Sequence, residues 1–293
     1  MADAGQIQII PTGGACGAEI KGIDASTPLS APEIKAIKSG LFEHCVVYLR
    51  NQKLTDQQLV AFGRNFGDLH AYKVTEYEKP KDLPPEVELI TNVTKDGKPI
   101  GALGNGEAVW HTDMSMFEVP ASFTFLYGEQ VQKGGNTRFT NLYRAYDTLP
   151  DDLRRKVEGH NSIHDAAYIA NGKVRPPYKP VTDKSKGPGA HHPVVRTHPE
   201  TGRKALFLGR VGFGYIFPYP VDESDRLLDA LWSHMIKPEF IWEHSWQVGD
   251  ILIWDNRGVA HSRGTLDPTT PRLMRRITAM GERPFYKGSD AAA

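Results

Sequence analysis

The second half of the chain is a run of short apolar segments of strand length, with no regular alternation of strand and helix. ALFLG (205–209), EFIWEHSW (239–246), DILIWDNR (250–257) and PRLMRRITAM (271–280) follow one another, and SFTFLYGEQV (122–131) precedes them. A doubly wound parallel sheet needs a helix after each strand, so that class is excluded. Helices are expected only at the N-terminal end and as insertions between strands. The architecture that fits is mainly β with helices: an antiparallel double-sheet barrel flanked by α-helices.

The N-terminal helices carry their own start signals. Ser30-Ala-Pro-Glu33 is a capping box with proline in the first turn, and Ile34, Ile37 and Leu41 then share one helical face. Thr55-Asp-Gln-Gln58 is a second box, followed by Leu59, Phe62 and Phe66 and a stop at Gly67. Further helices are expected near 141–148 and 150–158, and from an Asp222 cap through Leu231 and Met235. Residues 68–106 and 171–192 read as irregular; 71–106 and 171–192 are the candidate lids. The length of 293 residues fits one domain spanning 1–293.

Charge excludes some partners. Lysine plus arginine equal aspartate plus glutamate at 35 each, which gives no electrostatic ground for nucleic acid or an anionic membrane. No apolar run reaches the roughly 18 residues of a spanning helix. Two cysteines, Cys16 and Cys45, are too few for a disulfide framework and suit a reducing, cytoplasmic setting as core residues.

Metal-ligand chemistry is concentrated in two places. In Trp110-His-Thr-Asp113, an extended segment puts His111 and Asp113 on one side and Thr112 on the other. A lone His-x-Asp is a weak signal, and His198-Pro-Glu200 has similar spacing; its proline- and glycine-bearing surroundings read as a solvated hairpin tip. His191-His192 falls in the 171–192 loop, and His160, His164, His234 and His244 read as residues with local partners. His261, just beyond the strand ending at Asp255-Asn256-Arg257, is the best third ligand. Two imidazoles and a carboxylate with the opposite positions open form the ligand set of non-haem Fe(II) oxygenases, where a co-substrate and O2 share the iron.

Eleven residues after His261 comes Arg272, and Arg272, Met274 and Arg276 share one face of their strand. A guanidinium binds a carboxylate through two parallel hydrogen bonds, as the far end of a dicarboxylic co-substrate requires. Arg276, about 7 Å further along, suits a second anion. The plainer alternative is a strand of rim arginines paired to surface carboxylates.

Together these segments resemble the taurine dioxygenase / 2,4-dichlorophenoxyacetate dioxygenase family of Fe(II)/2-oxoglutarate enzymes. The matching text includes GAEIKGID, FGRNFGDLH, WHTDMSMF, GGNTRF, HPVVRTHPETGRKALF and WQVGDILIWDNRGVAH, in order along nearly the whole chain. The resemblance implies a double-stranded β-helix, or jelly-roll, core. It implies iron on His111, Asp113 and His261, and 2-oxoglutarate on Arg272, with Thr137 assisting and Arg276 near the substrate acid or the chelating end. It also implies O2 as oxidant, a small organic anion as substrate, and homo-oligomers, dimers or tetramers. The segment after FGDLH reads His70-Ala-Tyr72-Lys73, and Glu107 stands four before His111; both depart from the taurine enzyme. His70, Tyr72 and Phe213 are candidate pocket residues. The wording around 192–207 and 246–261 is nearest the phenoxyacetate branch, so an aryloxyalkanoate is the expected substrate, with a sulfonate or alkyl sulfate as the alternative. A different class is a non-redox divalent-metal barrel, an isomerase or hydrolase, which has no need of Arg272 with Thr137. No catalytic group beyond the metal site is expected.

Overall fold

The computed structural model describes residues 6–72, 77, 79–105, 108–169 and 172–288. Eight strands form the large sheet, in the order Gln8–Pro11, Ala18–Lys21, Val46–Leu49, Ile251–Asp255, Ala121–Gln130, Leu273–Met280, Glu88–Thr91 and Ala102–Leu103. A four-stranded sheet, in the order Ile241–His244, Thr137–Asn141, Val259–Arg263 and Ala108–His111, lies against it. This is a jelly-roll core flanked by helices.

Strand alternation builds two hydrophobic layers. Leu126, Leu252, Trp254, Met274 and Phe139 face the space between the sheets. The residues between them, Phe125, Tyr127, Ile251, Ile253 and Ile277, face outward and are covered by the two N-terminal helices through Ile37, Leu41, Leu59 and Phe62. Both helices, Ala31–His44 and Asp56–Gly63, start on the capping boxes the sequence predicts. The helices at Leu142–Asp147 and Asp151–Val157 also form. The helix Val221–Met235 starts two residues earlier than expected, with Pro220 at its cap and Asp222 in the first turn.

Three expectations are corrected. Residues 68–106 are not irregular throughout, because Glu88–Thr91 is a buried strand paired with Leu273–Met280. The candidate lid 71–106 therefore includes a piece of the large sheet. Gly189–Pro193 is likewise a strand, paired with Asn161–Asp165, so His191 and His192 are held in a sheet and not in a loop. His261 is not in a connection after a strand; it sits inside the strand Val259–Arg263. Cys16 and Cys45 are both buried and free, as core residues. No helix among the described residues is long and apolar enough to cross a membrane.

Candidate active site

His111 ends its strand, and His261 is its register partner across the four-stranded sheet, with ring centroids 4.2 Å apart. The extended segment expected through residue 113 stops at His111. A turn follows, with Met114 at φ 54°, and it carries Asp113 back over the same spot. The ligand atoms of His111, Asp113 and His261 all lie within 4.8 Å of one another. Nε2 of His111 is 3.7 Å from one Asp113 oxygen, and Nε2 of His261 is 3.8 Å from the other. These gaps are too long for hydrogen bonds, and the three side chains could together hold one small cation.

The surroundings prepare the donors. His111 Nδ1 lies 2.7 Å from the Val109 carbonyl; as donor to it, the ring turns the Nε2 lone pair toward Asp113. Trp254 packs on the His261 ring at 4.8 Å. The Thr124 hydroxyl donates to Asp113 Oδ2 at 2.8 Å, and the Asn256 amide donates to Thr124 Oγ1 at 2.9 Å. Asn256 Oδ1 in turn accepts from the Trp254 indole at 3.1 Å. Burial by itself pushes the Asp113 carboxyl up, but the neighbouring His261, His111 and Arg276 hold it well below the usual carboxylate range. Burial, followed by the neighbouring His111, pushes His261 down to about 3. Asp113 is thus ionised and His261 neutral, the forms that bind metal. The sequence reading missed Thr124 and Asn256. The available signal was a threonine set between Phe123 and Phe125 at an inward position of a largely apolar strand.

Arg272 is the second anchor of the site. Its side chain is 1% exposed, and it makes no ion pair among the described residues. Its Nε has no hydrogen-bond partner. Burial, then the like charge of Arg263, pushes its guanidinium down to about 9. A buried cation without a counter-ion is costly, and a carboxylate from a bound molecule supplies what is missing. Thr137 lies nearby on the strand Thr137–Asn141, opposite Arg263. Its oxygen accepts from the Trp246 indole at 3.1 Å, which leaves its own proton free to donate. The turn before it approaches Arg272 closely: a Cβ on Gly135 would lie 3.5 Å from Arg272 Cδ. The donor set and the unpaired guanidinium together fit Fe(II) and a dicarboxylic co-substrate.

Arg276 reaches the metal site but not as an open anion receptor. Its Nε donates to Glu88 at 3.0 Å, its Nη2 donates to the same carboxylate, and its Nη1 lies 3.5 Å from Asp113. The guanidinium expected to serve a second anion already carries a protein carboxylate. Tyr72 stands over it at 5.6 Å, bonds its hydroxyl to Thr278 at 2.6 Å and contacts His70 edge-on at 4.9 Å. His70 and Tyr72 are therefore at this wall of the site. Phe213 follows Arg210, its N–H donating to the Arg210 carbonyl at 3.2 Å. It stacks on Tyr168 at 4.7 Å and lines a cavity of about 110 Å³ with Ile163, Asp165 and Lys184. Lys73 and Glu107 lie outside the described residues.

The decoy histidines resolve differently. His198 is buried, not solvated, and its Nε2 lies 3.0 Å from Asp255, which Arg257 also grips at 2.8 Å. His234 and His244 have the expected local partners, Ala145 O and Asp250. His164 does not: it is 1% exposed with neither ring nitrogen bonded. Arg210 is a residue the sequence reading passed over. The segment 209–211 continues the four-stranded sheet beyond the metal strand, through Thr112 N–Gly209 O and Val211 N–Trp110 O bonds of 3.0 Å and a bridge between Arg210 and His111. Arg210 Nη1 donates to the Tyr168 carbonyl, while its Nε has no partner. Burial, then Arg175, pushes this guanidinium down to about 10, against the pull of Asp165 and Asp113.

Residues 8–278 match the family model described as Taurine catabolism dioxygenase TauD, TfdA family. The chain belongs to the TauD/TfdA family. An alpha-ketoglutarate-dependent 2,4-dichlorophenoxyacetate dioxygenase of Burkholderia sp. (strain RASC) is 32% identical over 267 residues, 87% of this chain and 88% of that one. A taurine dioxygenase structure from Burkholderia xenovorans superposes with a TM-score of 0.77 at 32% identity, covering 98% of this chain and 94% of that one. The structure of AAD-2 in complex with Mn(II) and N-oxalylglycine gives a TM-score of 0.76 at 29% identity, covering 96% and 100%. This TauD/TfdA member is an Fe(II)/2-oxoglutarate-dependent dioxygenase that uses O2, which sets aside the isomerase or hydrolase reading. Relatives in the family act on small organic anions, aryloxyalkanoates and sulfate esters among them.

Proposed function

We propose that this dioxygenase, one catalytic domain over 1–293, hydroxylates a small organic carboxylate of the aryloxyalkanoate type. In this reading His111, Asp113 and His261 hold Fe(II), and Arg272 with Thr137 holds the distal carboxylate of 2-oxoglutarate. The observation that carries it is the buried Arg272 side chain, without an ion pair among the described residues and with its Nε unpartnered, together with the three converging ligands. When bound, iron and 2-oxoglutarate supply the oxidising power, at the cost of one O2 and with release of succinate and CO2.

The protein's own contribution is geometric and electrostatic. Arg272 fixes the co-substrate at one end, so its other end is aimed at the metal. The His111 tautomer and the Thr124 bond fix two ligand orientations. Trp254 and Phe139, both buried against His261, would exclude water from that side of a metal held there. For the substrate acid, Arg210 is the available receptor, since its Nε is unpartnered and its strand segment adjoins His111. Where the hydroxylated carbon bears an ether oxygen, the product hemiacetal falls apart, and the net reaction is cleavage.

The test is an anaerobic titration of Fe(II) and 2-oxoglutarate followed by a succinate assay over a panel of aryloxyalkanoates, sulfonates and alkyl sulfates. Succinate release stimulated by aryloxyalkanoates and not by the sulfur acids is expected. Stimulation by alkyl sulfates alone would move the substrate to that class. Arg272→Ala is expected to raise the Kd for 2-oxoglutarate by about 30-fold or more, as for loss of a charge-assisted pair. An unchanged Kd would remove Arg272 from its assigned role.

A further inference from the structure

We infer that His192 is a positioning residue for Asp113: its imidazole N–H holds the turn that returns this carboxylate to His111 and His261. The inference rests on the reading above that Asp113 binds the metal.

Of the three ligands, Asp113 is the one that no strand holds. His111 and His261 sit on paired strands, whereas Asp113 lies in the turn that follows His111. That turn has little to keep its shape by itself. It closes one bond of its own, Phe117 N to Met114 O at 3.0 Å. Met114, at φ 54°, is in the left-handed region, which costs a residue with a side chain about 1–2 kcal/mol. On the near side, Thr112 N donates to Gly209 O at 3.0 Å, and the Asp113 N–H reaches Asn256 Oδ1 at 3.4 Å.

The far side of the turn is held by the strand Gly189–Pro193. Three successive carbonyls, Ser115, Met116 and Phe117, take their hydrogen bonds from it. Ala190 N donates to Met116 O at 3.0 Å. His192 Nε2 lies 2.9 Å from Ser115 O and 3.0 Å from Phe117 O. A nitrogen that faces two carbonyl oxygens carries the proton, so Nε2–H donates to both. Packing fixes this donor in place. The ring is fully buried, with His164 edge-on at 4.9 Å and Phe207 at 5.4 Å, and its Nδ1 has no partner. The strand is anchored in turn by five register pairs with Asn161–Asp165. A sheet that supplies no ligand thus sets the aim of one. Without the N–H, two carbonyls of a strained turn lose their donor, one of them on the buried Ser115. Met114 is then free to relax, and Asp113, its neighbour, moves with it. His111 and His261 keep their own strand pairing, so the loss falls on the carboxylate.

The experiment measures binding of Mn(II), a stand-in for Fe(II), to the full-length metal-free protein by the loss of the free-ion EPR signal. His192→Gln carries an amide N–H toward the Nε2 position. The shorter amide of His192→Asn ends near the Nδ1 position and reaches neither carbonyl. Both variants lose the ring, so they differ chiefly in the bond. His192→Asn is expected to weaken Mn(II) binding by about tenfold or more, with His192→Gln within about threefold of wild type. The spectrum of the bound ion should change in the first and match wild type in the second.

Urea unfolding of the metal-free variants is the control. A merely structural His192 would lower stability in both and leave the Mn(II) affinity of the folded protein alone, and that result overturns the inference. Equal weakening in the Asn and Gln variants overturns it too, because the ring and not its N–H would then place Asp113. Asp113→Ala separates the two readings. Loss of Mn(II) binding there, with wild-type affinity in His192→Asn, removes the inference alone. Wild-type affinity in Asp113→Ala removes the metal reading and the inference with it.

Discussion

At the scale of single residues, the metal site depends on side chains that never touch the metal. Thr124 donates to Asp113 Oδ2, and Asn256 holds Thr124 in place. Such outer partners fix ligand orientation and raise affinity. Thr124→Val keeps the shape and deletes the bond, and is expected to lower Fe(II) affinity by about 10- to 100-fold. Competition against a coloured chelator measures it; an unaltered affinity would reduce Thr124 to packing. His111, Asp113 and His261 were legible as candidate ligands from their residue types and spacing, and Arg272 from its place eleven residues after His261. Thr124, Asn256, Glu88 and Arg210 were not, because a threonine, an asparagine, a glutamate and an arginine are ordinary on any surface. Their roles come only from what lies opposite them.

At the scale of elements, legibility followed locality. The capping boxes at Ser30 and Thr55 are complete within four residues, and both helices start there. The strand Glu88–Thr91 is four residues long, follows Pro84-Pro85, and pairs with residues more than 180 positions away. Nothing local marks it, and it was read as loop. Gly189–Pro193 hid for the same reason inside a proline- and glycine-rich stretch. Its first residue shows how closely it is fitted. Gly189 has φ +138°, and a Cβ there would lie 2.0 Å from the His164 carbonyl oxygen. Gly189→Ala combines a left-handed backbone with a backbone clash, so a loss of about 3 kcal/mol or more is expected. Urea denaturation measures this; a loss below about 1 kcal/mol would mean that the strand gives way.

At the scale of the whole molecule, several histidines are buried in neutral form. His164, His192, His234 and His244 are all pushed below the ordinary value near 6.5, in each case chiefly by burial. Unfolding releases them to bind protons, so the unfolded chain holds more protons below about pH 6.5. The stability they contribute is complete above that pH and falls as the pH drops toward their folded values. His164, with no hydrogen-bond partner for either nitrogen, is the clearest contributor. His164→Leu is expected to flatten the acid limb of the stability curve by about 1.4 kcal/mol per pH unit between pH 6 and 5. Denaturant midpoints across that range test it, and parallel curves for the two proteins would refute the assignment.

By itself, the sequence pointed to the class of fold, the two capped helices, and the residues proposed here to hold the metal and the co-substrate. Those follow from periodicity, from local capping and from residue types that few other chemistries require. Only the tertiary structure decided which arginine is free to receive an anion. Arg272 and Arg276 stand four residues apart on one face of one strand, and nothing in that spacing distinguishes them. The difference is Glu88, set beside Arg276 by the pairing of two strands far apart in the chain, while Arg272 makes no ion pair among the described residues. Charge compensation is a property of neighbours in space, and a linear pattern does not carry it.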